Sequence, residues 1–326
     1  MEHPQQRHPA VTVSVALVAA GFAGFALMRA LGLERGPVLV PLTAHTPVAL
    51  GAAALAAATA GVLRRWVSLA ALAAVVAVLA AVVLPRAIPY GITAAGGPVL
   101  RVMAFNALGG GADVRETVDL VREQEVDVLA LQEVTPGLLA DLAAAGLEDL
   151  LPHEIDRSAV SGVEGSSVHS SLPLTDLGDA AEGPDAFAMP VAGVAVDGPG
   201  PAVEVVSVHV PPPLGTSLTA AWERELRALA VPAEQDTVRI LAGDFNATVD
   251  HAALRAVLDS GYVDAASVLG RGLRATWPTD RPLPGVAIDH VLVTPGTGVD
   301  RLEVVEVTGS DHRAVVVDVS LPGAPR

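Results

Sequence analysis

The chain has 326 residues, of which 51% are hydrophobic, and its formal net charge is −16. So large an apolar share exceeds that of an ordinary soluble enzyme and indicates that part of the chain lies in a lipid bilayer. The sequence has no cysteine, which excludes disulfide bonds and thiolate metal sites. Before Pro98 the chain carries six arginines and two acids, a net of +4, whereas the remainder carries 14 arginines and 34 acids, a net of −20.

Three uncharged apolar stretches come first, and they predict transmembrane helices at about 9–29, 38–63 and 66–85. Each reaches the roughly 17–25 residues that a helix needs to cross a bilayer. None has a polar face, so a soluble helical bundle is disfavoured. A single cleaved signal peptide would not explain three successive stretches. We therefore expect residues 1–87 to form a membrane region and residues 88–98 a linker.

The tight connection between the second and third stretches consists of Arg64 and Arg65. The positive-inside rule favours the cytoplasm for such a basic turn. The third span then runs outward, and we expect a multi-pass protein of the cell membrane whose acidic domain is extracytoplasmic. Arg29, Arg35 and Arg86 fall on the outer side in this arrangement and weaken the charge bias.

From Val99 to about residue 322 the pattern changes to alternating strands and helices, which predicts an α/β domain. Its apolar strands end in polar residues, so those residues are expected at one rim of a sheet sandwich. Any one such residue alone reads as a turn or as an ordinary structural residue. Taken together, the runs are hard to explain as turns. They are MAFNA (Asn106), ALQEV (Glu133), VSVHV (His209), AGDFNAT (Asp244 and Asn246), AIDHV (Asp289) and TGSDHRAV (Asp311 and His312).

These residue types suit the hydrolysis of a phosphate ester. A hard cation offsets charge on the phosphoryl and leaving oxygens, and Mg²⁺ needs one or two carboxylates, for which Glu133 and Asp311 are candidates. Asp244 is the candidate for the carboxylate that positions or deprotonates the attacking water.

Four further side chains have candidate catalytic or substrate-binding roles around Asp244. Asn246 can orient the Asp244 carboxylate or donate a hydrogen bond to phosphate. His312 can bond a phosphoryl oxygen or shuttle a proton, with Asp289 holding its imidazole. His209 can donate a second hydrogen bond to the phosphoryl group.

Residues 99–321 resemble the endonuclease/exonuclease/phosphatase superfamily, which includes DNase I-like nucleases, sphingomyelinases and inositol polyphosphate 5-phosphatases. The resemblance implies an α/β fold, a four-layer sandwich of two mostly antiparallel sheets flanked by helices. It also implies Mg²⁺, or Mn²⁺, as cofactor. It assigns the runs above to the family's site and makes Asn106 a metal or substrate contact. His209 resembles the histidine of the DNase and sphingomyelinase branches.

The sequence departs from the family pattern in mid-domain. Ser171 stands where an arginine is common, which weakens the expected grip on phosphate. His169, in the same motif, is interpreted as a buried or strand-edge residue. His290 should point to the opposite face of the sheet from Asp289, so we interpret it as structural.

The predicted spans favour a substrate at the membrane, because tethering raises the effective concentration of an enzyme towards lipid head groups. The architecture, together with the HVPPPL run from His209 to Leu214, resembles actinobacterial membrane phosphoesterases linked to teicoplanin resistance. Those enzymes are thought to act on lipid-linked cell-wall intermediates. Trp277 either borders the substrate or packs in the fold.

We therefore expect a metal-dependent hydrolase acting on a phosphate ester of a lipid or lipid-linked molecule at the outer membrane face. One alternative is an extracytoplasmic nuclease acting on DNA, which the net charge of −20 disfavours. Another is a catalytically inactive membrane binding or resistance protein, which would have no chemical need for the complete set of motifs.

Overall fold

The computed structural model describes residues 9–92, 96–181, 183, 186–198, 200–234, 236–282 and 284–323. Residues 1–8 of the predicted membrane region and residues 93–95 of the predicted linker lie outside this description. The helices are α1 Pro9–Leu31, α2 Gly36–Ala44, α3 Thr46–Val62, α4 Trp66–Val83, α5 Val114–Glu123, α6 Pro136–Ala144, α7 Leu147–Leu150, α8 Thr216–Leu229, α9 Ala252–Asp259 and α10 Ala265–Val268. The strands are β1 Gly96–Asn106, β2 Val128–Gln132, β3 His153–Arg157, β4 Ser166–Ser170, β5 Leu174–Asp179, β6 Pro190–Val194, β7 Ala202–His209, β8 Thr237–Asp244, β9 Val263–Asp264, β10 Asp289–Val293, β11 Gly298–Glu306 and β12 Arg313–Pro322.

Two of the apolar helices, Pro9–Leu31 and Trp66–Ala87, are each long and apolar enough to cross a membrane. The second of them is α4 extended by a 3-10 turn at Leu84–Ala87. The stretch predicted as one span at 38–63 differs from that prediction. It forms α2 and α3, which are bent by 76° relative to each other, so it qualifies as a span only if the bent pair is counted as one.

The bend between α2 and α3 has a local cause. Pro41 lies inside α2, and Pro47 occupies the first turn of α3, where a missing backbone N–H costs nothing. His45 between them leaves the helical conformation and closes the junction, with its Nδ1 3.2 Å from the carbonyl oxygen of Pro41. The two prolines therefore turn one apolar stretch into two helices that point in different directions.

The strands form two six-stranded sheets, in the orders β11-β12-β1-β2-β4-β3 and β5-β6-β7-β8-β10-β9. Each sheet contains one parallel pair, β1 with β2 and β7 with β8, and its other pairs are antiparallel. An apolar core of valine, leucine, isoleucine and alanine fills the space between the sheets. Helices α5 to α7 cover the first sheet, and α8 and α9 cover the second. The predicted four-layer α/β sandwich is confirmed.

A buried ion pair joins the apolar helices to the sandwich. Asp250 accepts hydrogen bonds from the guanidinium of Arg86 at 2.7 and 2.6 Å and from Nε of Arg29 at 3.1 Å. Arg29 belongs to the last turn of α1, and Arg86 lies in the 3-10 turn after α4. The ends of both candidate spans therefore contact one carboxylate of the sandwich, which is fully buried.

The segment that leads into α9 also binds the connection between α1 and α3. Glu34 is buried, and its Oε1 accepts from the backbone N–H of Ala252 at 2.5 Å. Nε2 of His251 lies 2.9 Å from the carbonyl oxygen of Val40, whose side chain belongs to the same apolar core as α8 and α9. Helix α2 therefore packs on the sandwich and points away from the direction of α3.

Candidate active site

The polar residues singled out in the sequence meet at one rim because of the strand directions. Strands β1, β2, β7 and β8 end at this rim. Asn106, His209 and Asp244 are the last residues of β1, β7 and β8, and Glu133 directly follows β2. Strand β10 is antiparallel to β8 and β12 is antiparallel to β1, so both begin at the same rim. In the register of the second sheet, Asp244 lies opposite both His209 and Asp289.

Asn106 holds two carboxylates at the centre of the rim. Its Nδ2 donates to Oε1 of Glu133 and to Oδ2 of Asp244, each at 3.1 Å. Burial raises the pKa of Glu133 above its usual value, although the bond from Asn106 opposes the rise. Glu133 has a left-handed backbone with φ of 55°, a costly conformation that turns its side chain towards the rim.

Asp244 is the most deeply buried carboxylate of the cluster, with 1% of its surface exposed. Its Oδ1 accepts from the backbone N–H of Asn246 at 2.8 Å, and its Oδ2 accepts from Nδ2 of Asn246 at 3.2 Å. Burial, with the negative charge of Asp289 as a further cause, raises the pKa of Asp244 to about 7. A carboxyl group with such a pKa can take a proton near neutral pH.

His312 and Asp289 form a buried pair beside Asp244. Nδ1 of His312 lies 3.0 Å from each carboxylate oxygen of Asp289, and its Nε2 lies 3.8 Å from Oδ2 of Asp244. Burial alone would lower the pKa of His312, but the charges of Asp289 and Asp244 raise it to about 10. The imidazolium therefore presents Nε2–H towards the carboxylate cluster and can donate to an anionic group there.

His209 approaches the same carboxylates from β7. Its Nε2 lies 3.9 Å from Oε1 of Glu133 and 4.0 Å from Oδ2 of Asp244. Its ring packs against Phe187, with 4.9 Å between the ring centroids. Burial lowers the pKa of His209 to about 3, so the imidazole is neutral and can donate one hydrogen bond to a phosphoryl oxygen.

Asp311 borders the rim on the side of Trp277. Its Oδ2 accepts from Nε1 of Trp277 at 2.8 Å and lies 3.6 Å from the Arg281 guanidinium, which also stacks 5.5 Å from the Trp277 ring centre. Its Oδ1 is buried and has no hydrogen-bond partner in the part of the chain that the structure describes. Trp277 is thus bonded to a residue of the site, and its contact with the substrate stays a prediction.

A buried group of two aspartates and one histidine, Asp244, Asp289 and His312, offers ligand atoms within 4.8 Å of one another and could bind a metal ion. Both oxygens of Asp289 face Nδ1 of His312, so we interpret Asp289 as the residue that orients the His312 ring and not as a metal ligand. That Glu133 and Asp311 bind Mg²⁺ stays a prediction; Oδ1 of Asp311, which lies 3.8 Å from Nε2 of His312, is an oxygen that a hard cation could bind.

Asn106, predicted as a metal ligand or substrate contact, lies beside two carboxylates. Its amide nitrogen faces the carboxylates, and its Oδ1 accepts from the backbone N–H of Leu108 at 3.0 Å. A donor facing two carboxylates orients them, and the role of Asn106 as a metal ligand stays a prediction. The prediction that Asn106 contacts substrate stays open, because the same Nδ2 is directed into the rim.

Two hydroxyl groups that the sequence analysis did not identify form hydrogen bonds with backbone groups of the site residues. Oγ of Ser310 donates to the carbonyl of Asn106 at 2.7 Å and accepts from the N–H of His312 at 3.0 Å. Oγ1 of Thr276 accepts from the N–H of Asp289 at 3.1 Å. Ser310 stands directly before the Asp-His pair in the chain, and this position is the one sequence signal that could have identified it.

The two histidines interpreted as structural make their contacts outside the rim cluster. This cluster consists of Asn106, Glu133, His209, Asp244, Asn246, Asp289, Asp311 and His312. Nε2 of His169 lies 2.9 Å from Oγ of Ser167 in β4, and burial lowers its pKa to about 4. His290 lies 3.4 Å from Asp264 and 2.9 Å from the carbonyl oxygen of Ala247. Ser171 is exposed after β4, with its Oγ near the carbonyl oxygen of Asp127.

The model of the endonuclease/exonuclease/phosphatase family matches residues 103–312. No curated protein sequence matches the chain.

Three solved structures illustrate the likeness in fold. An endonuclease/exonuclease/phosphatase from Beutenbergia cavernae DSM 12333 is 24% identical over 70% of this chain and 72% of that chain, with a TM-score of 0.55. D. rerio TDP2 complexed with single strand DNA product is 17% identical over 68% and 99%, with a TM-score of 0.54. A family protein from Bacteroides thetaiotaomicron is 16% identical over 70% and 100%, with a TM-score of 0.50.

Proposed function

Because this chain belongs to the endonuclease/exonuclease/phosphatase family, we propose that it is a Mg²⁺-dependent phosphoesterase of the membrane. Its substrate is a phosphate ester of a lipid or lipid-linked molecule. The observation that carries the proposal is the buried rim cluster, in which Asp244 and the pair of His312 with Asp289 lie within 4.8 Å of one another.

In the proposed chemistry the side chains divide the work of in-line hydrolysis. Glu133 and Asp311 would hold Mg²⁺, or Mn²⁺, which when bound offsets negative charge on the phosphoryl oxygens. Asp244, with its pKa at about 7, accepts the proton of the attacking water, and Asn246 fixes the orientation of its carboxylate.

The two histidines and Asn106 serve the phosphoryl group. His312 is kept protonated and oriented by Asp289, and it donates from Nε2 to a phosphoryl oxygen or to the leaving oxygen. His209 donates a further hydrogen bond as a neutral imidazole. Asn106 would donate from Nδ2 to the phosphoryl group by exchanging one of its two bonds, to Glu133 or to Asp244, for a phosphoryl oxygen.

The contacts between the apolar helices and the sandwich support a substrate in the membrane. The chain leaves α1 at Arg29 and α4 at Arg86, and both residues bind Asp250, only six residues beyond Asp244. If α1, α3 and α4 cross the bilayer, Arg64 and Arg65 lie on the opposite side from the sandwich. The positive-inside rule then puts the rim at the outer face.

The competing functions make different demands on the charge and on the site. A nuclease gains its affinity from cationic contacts to the phosphate backbone, whereas the part of this chain after residue 97 has a net charge of −20. An inactive binding protein would not need Asp244 buried with a pKa of about 7 beside a protonated His312. We therefore place the lipid phosphoesterase first.

The test uses the full chain in lipid nanodiscs with undecaprenyl diphosphate, phospholipids and plasmid DNA as parallel substrates. We expect Mg²⁺-dependent release of phosphate or head group from a lipid, loss with EDTA and recovery with added Mg²⁺. The Asp244→Asn variant should be at least ~10³-fold slower, with Asp119→Asn as an exposed control. Equal activity in EDTA refutes the metal mechanism, and turnover of DNA alone refutes the lipid substrate.

A further inference from the structure

An apolar cavity of about 150 Å³ lies between α2 and the rim of the sandwich. On one side it is lined by Pro41, Ala44 and His45 at the end of α2. The opposite side is formed by the PPL run that follows β7 and by the strand segment that leads into Asp289. The lining residues that the argument uses are Ala44, Leu214, Asn246, Trp277, Val286 and Ile288.

Three polar groups in the lining have hydrogen-bond partners outside the cavity or within their own helix. Nδ2 of Asn246 donates to the carbonyl of Val210 at 2.9 Å, and Nε1 of Trp277 donates to Asp311 at 2.8 Å. Nδ1 of His45 lies 3.2 Å from the carbonyl oxygen of Pro41. Because these groups already have partners, the cavity offers an apolar surface and little hydrogen-bonding capacity to an occupant.

The cavity connects the candidate active site with the apolar helices. Asn246 and Trp277 belong both to the lining and to the rim cluster, through their hydrogen bonds to Asp244 and Asp311. Beside the lining residues, Val38 and Leu42 of α2 are 72% and 49% exposed, which leaves apolar side chains available to lipid next to the cavity. An occupant of the cavity would therefore touch the reacting centre at one end and the bilayer at the other.

We propose that this cavity binds the hydrocarbon segment next to the phosphate of the substrate, so that the enzyme recognises an apolar chain as well as the ester. The inference rests on the proposed function, because it takes the rim cluster as the place where the phosphate binds. It adds that α2, which the sequence assigns to a transmembrane span, forms one wall of the substrate site.

The size and position of the cavity favour this occupant. An apolar cavity of about 150 Å³ accommodates a group of roughly six carbons, which is about the first stretch of an acyl or prenyl chain. A phosphate drawn from the head-group layer to the rim pulls that stretch out of the bilayer. A cavity walled by Ala44, Val286 and Ile288 keeps it out of water.

The test is a chain-length series of water-soluble p-nitrophenyl phosphate diesters, from methyl to pentyl, with the full chain in nanodiscs. All esters share one leaving group, so only the chain changes. Each buried methylene should raise kcat/KM about fourfold, which gives on the order of a hundredfold from methyl to pentyl. The phosphorus chemistry is common to the series, so the rate for the methyl ester reports the basal activity.

Variants then remove the cavity or leave it intact. Ala44→Trp fills it and should reduce the pentyl-to-methyl ratio to below ~10; the ratio is the readout, so a change in rate common to all esters does not affect it. Leu214→Ala, at a side chain that is 64% exposed at the mouth, should lower the ratio without a risk to folding. Leu42→Trp is the matched control, because Leu42 is outside the lining and on another face of α2.

A binding measurement separates failure of this inference from failure of the proposed function. A pentyl phosphate brominated on its chain should quench the fluorescence of Trp277, and the quenching should disappear in Trp277→Phe and in Ala44→Trp. Hydrolysis of all esters with a flat chain-length profile and no quenching overturns the cavity proposal. Quenching without hydrolysis of any ester or lipid supports the cavity and overturns the phosphoesterase.

Discussion

Asp250→Asn is the substitution that most directly tests how the apolar helices are held to the sandwich. The carboxylate of Asp250 is fully buried, and it contacts Arg86 at 2.6 Å and Arg29 at 3.0 Å. Asparagine keeps the shape of the side chain and removes the negative charge. The variant therefore leaves two guanidinium groups facing each other, each of them less than a tenth exposed.

The expected loss in the free energy of unfolding follows from the burial of Asp250, Arg29 and Arg86. Removal of one partner from a buried ion pair costs about 3–5 kcal/mol, because the remaining charge is desolvated without compensation. Here one substitution removes the anionic partner of two cations, so we expect a loss in the free energy of unfolding at the upper end of that range. For a domain of this size the loss corresponds to a decrease in Tm of roughly 10–20 °C.

Thermal unfolding in detergent and limited proteolysis of the junction after Ala87 are the assays. We expect a lower Tm and faster cleavage in Asp250→Asn, since undocking exposes the chain between α4 and β1. The control is Asp119→Asn, which removes an exposed pair with Arg122 and should cost less than ~0.5 kcal/mol. An Asp250→Asn protein within ~1 kcal/mol of the parent, with unchanged cleavage, would refute the proposed role of the buried pair.

Asp289→Asn should lower kcat by a factor on the order of 10²–10⁴ in the ester assay, because His312 loses its partner at 3.0 Å, and a normal kcat would contradict the pairing. Phe245→Ala, at a fully buried ring, should cost about 3–5 kcal/mol in chemical unfolding, and a loss below ~1 kcal/mol would show that the ring contributes little packing. His169 has a pKa lowered to about 4, so between pH 6.5 and 4 the unfolded chain binds a proton that the folded chain excludes. Stability should therefore fall by up to ~3 kcal/mol as the pH drops through this window, and the His169→Asn variant should lose this part of the slope; an unchanged slope would refute the assignment. A reporter fused to the C-terminus should be active only outside the cell, and activity in the cytoplasm would reverse the proposed orientation.

The composition of the rim could be predicted from the sequence because each residue follows a strand with a recognisable apolar pattern. Asn106, His209 and Asp244 are the last residues of β1, β7 and β8, so the strand pattern locates them directly. Asp289 and His312 stand at the starts of antiparallel strands, and their convergence with Asp244 follows from topology. The resemblance to a family supplied that topology; periodicity alone did not.

The break in the second apolar stretch lay beyond the sequence analysis for a different reason. Hydropathy measures how apolar a segment is, and α2 and α3 are equally free of charge. What separates them is the pair of prolines and the contact of Val40 with the core of the sandwich. A tertiary contact of this kind leaves no local signal, so Pro41 and Pro47 could be read as tolerated irregularities in a single span.

The ion pairs of Asp250 also could not be predicted from the sequence. In the sequence it is one acid among 36, two residues before a short helix, where an aspartate is an ordinary choice. Its partners are 221 and 164 residues away in the chain, so only the folded structure can pair them. The weakened charge bias noted for Arg29 and Arg86 has the same origin, because both arginines are buried against the sandwich and are not free to follow lipid charge.

Residues 244–251 therefore contribute both to the candidate site and to the contact with the apolar helices. Asp244 and Asn246 face the rim, while Asp250 and His251 bind the ends of α1 and α4 and the backbone of α2. Any movement of the apolar helices relative to the sandwich acts on a chain that is anchored only a few residues from the candidate base. The contact with the apolar helices and the geometry of the site are then coupled through the backbone between Asn246 and Asp250, and a loss of this contact should lower the turnover of substrate before it unfolds the sandwich.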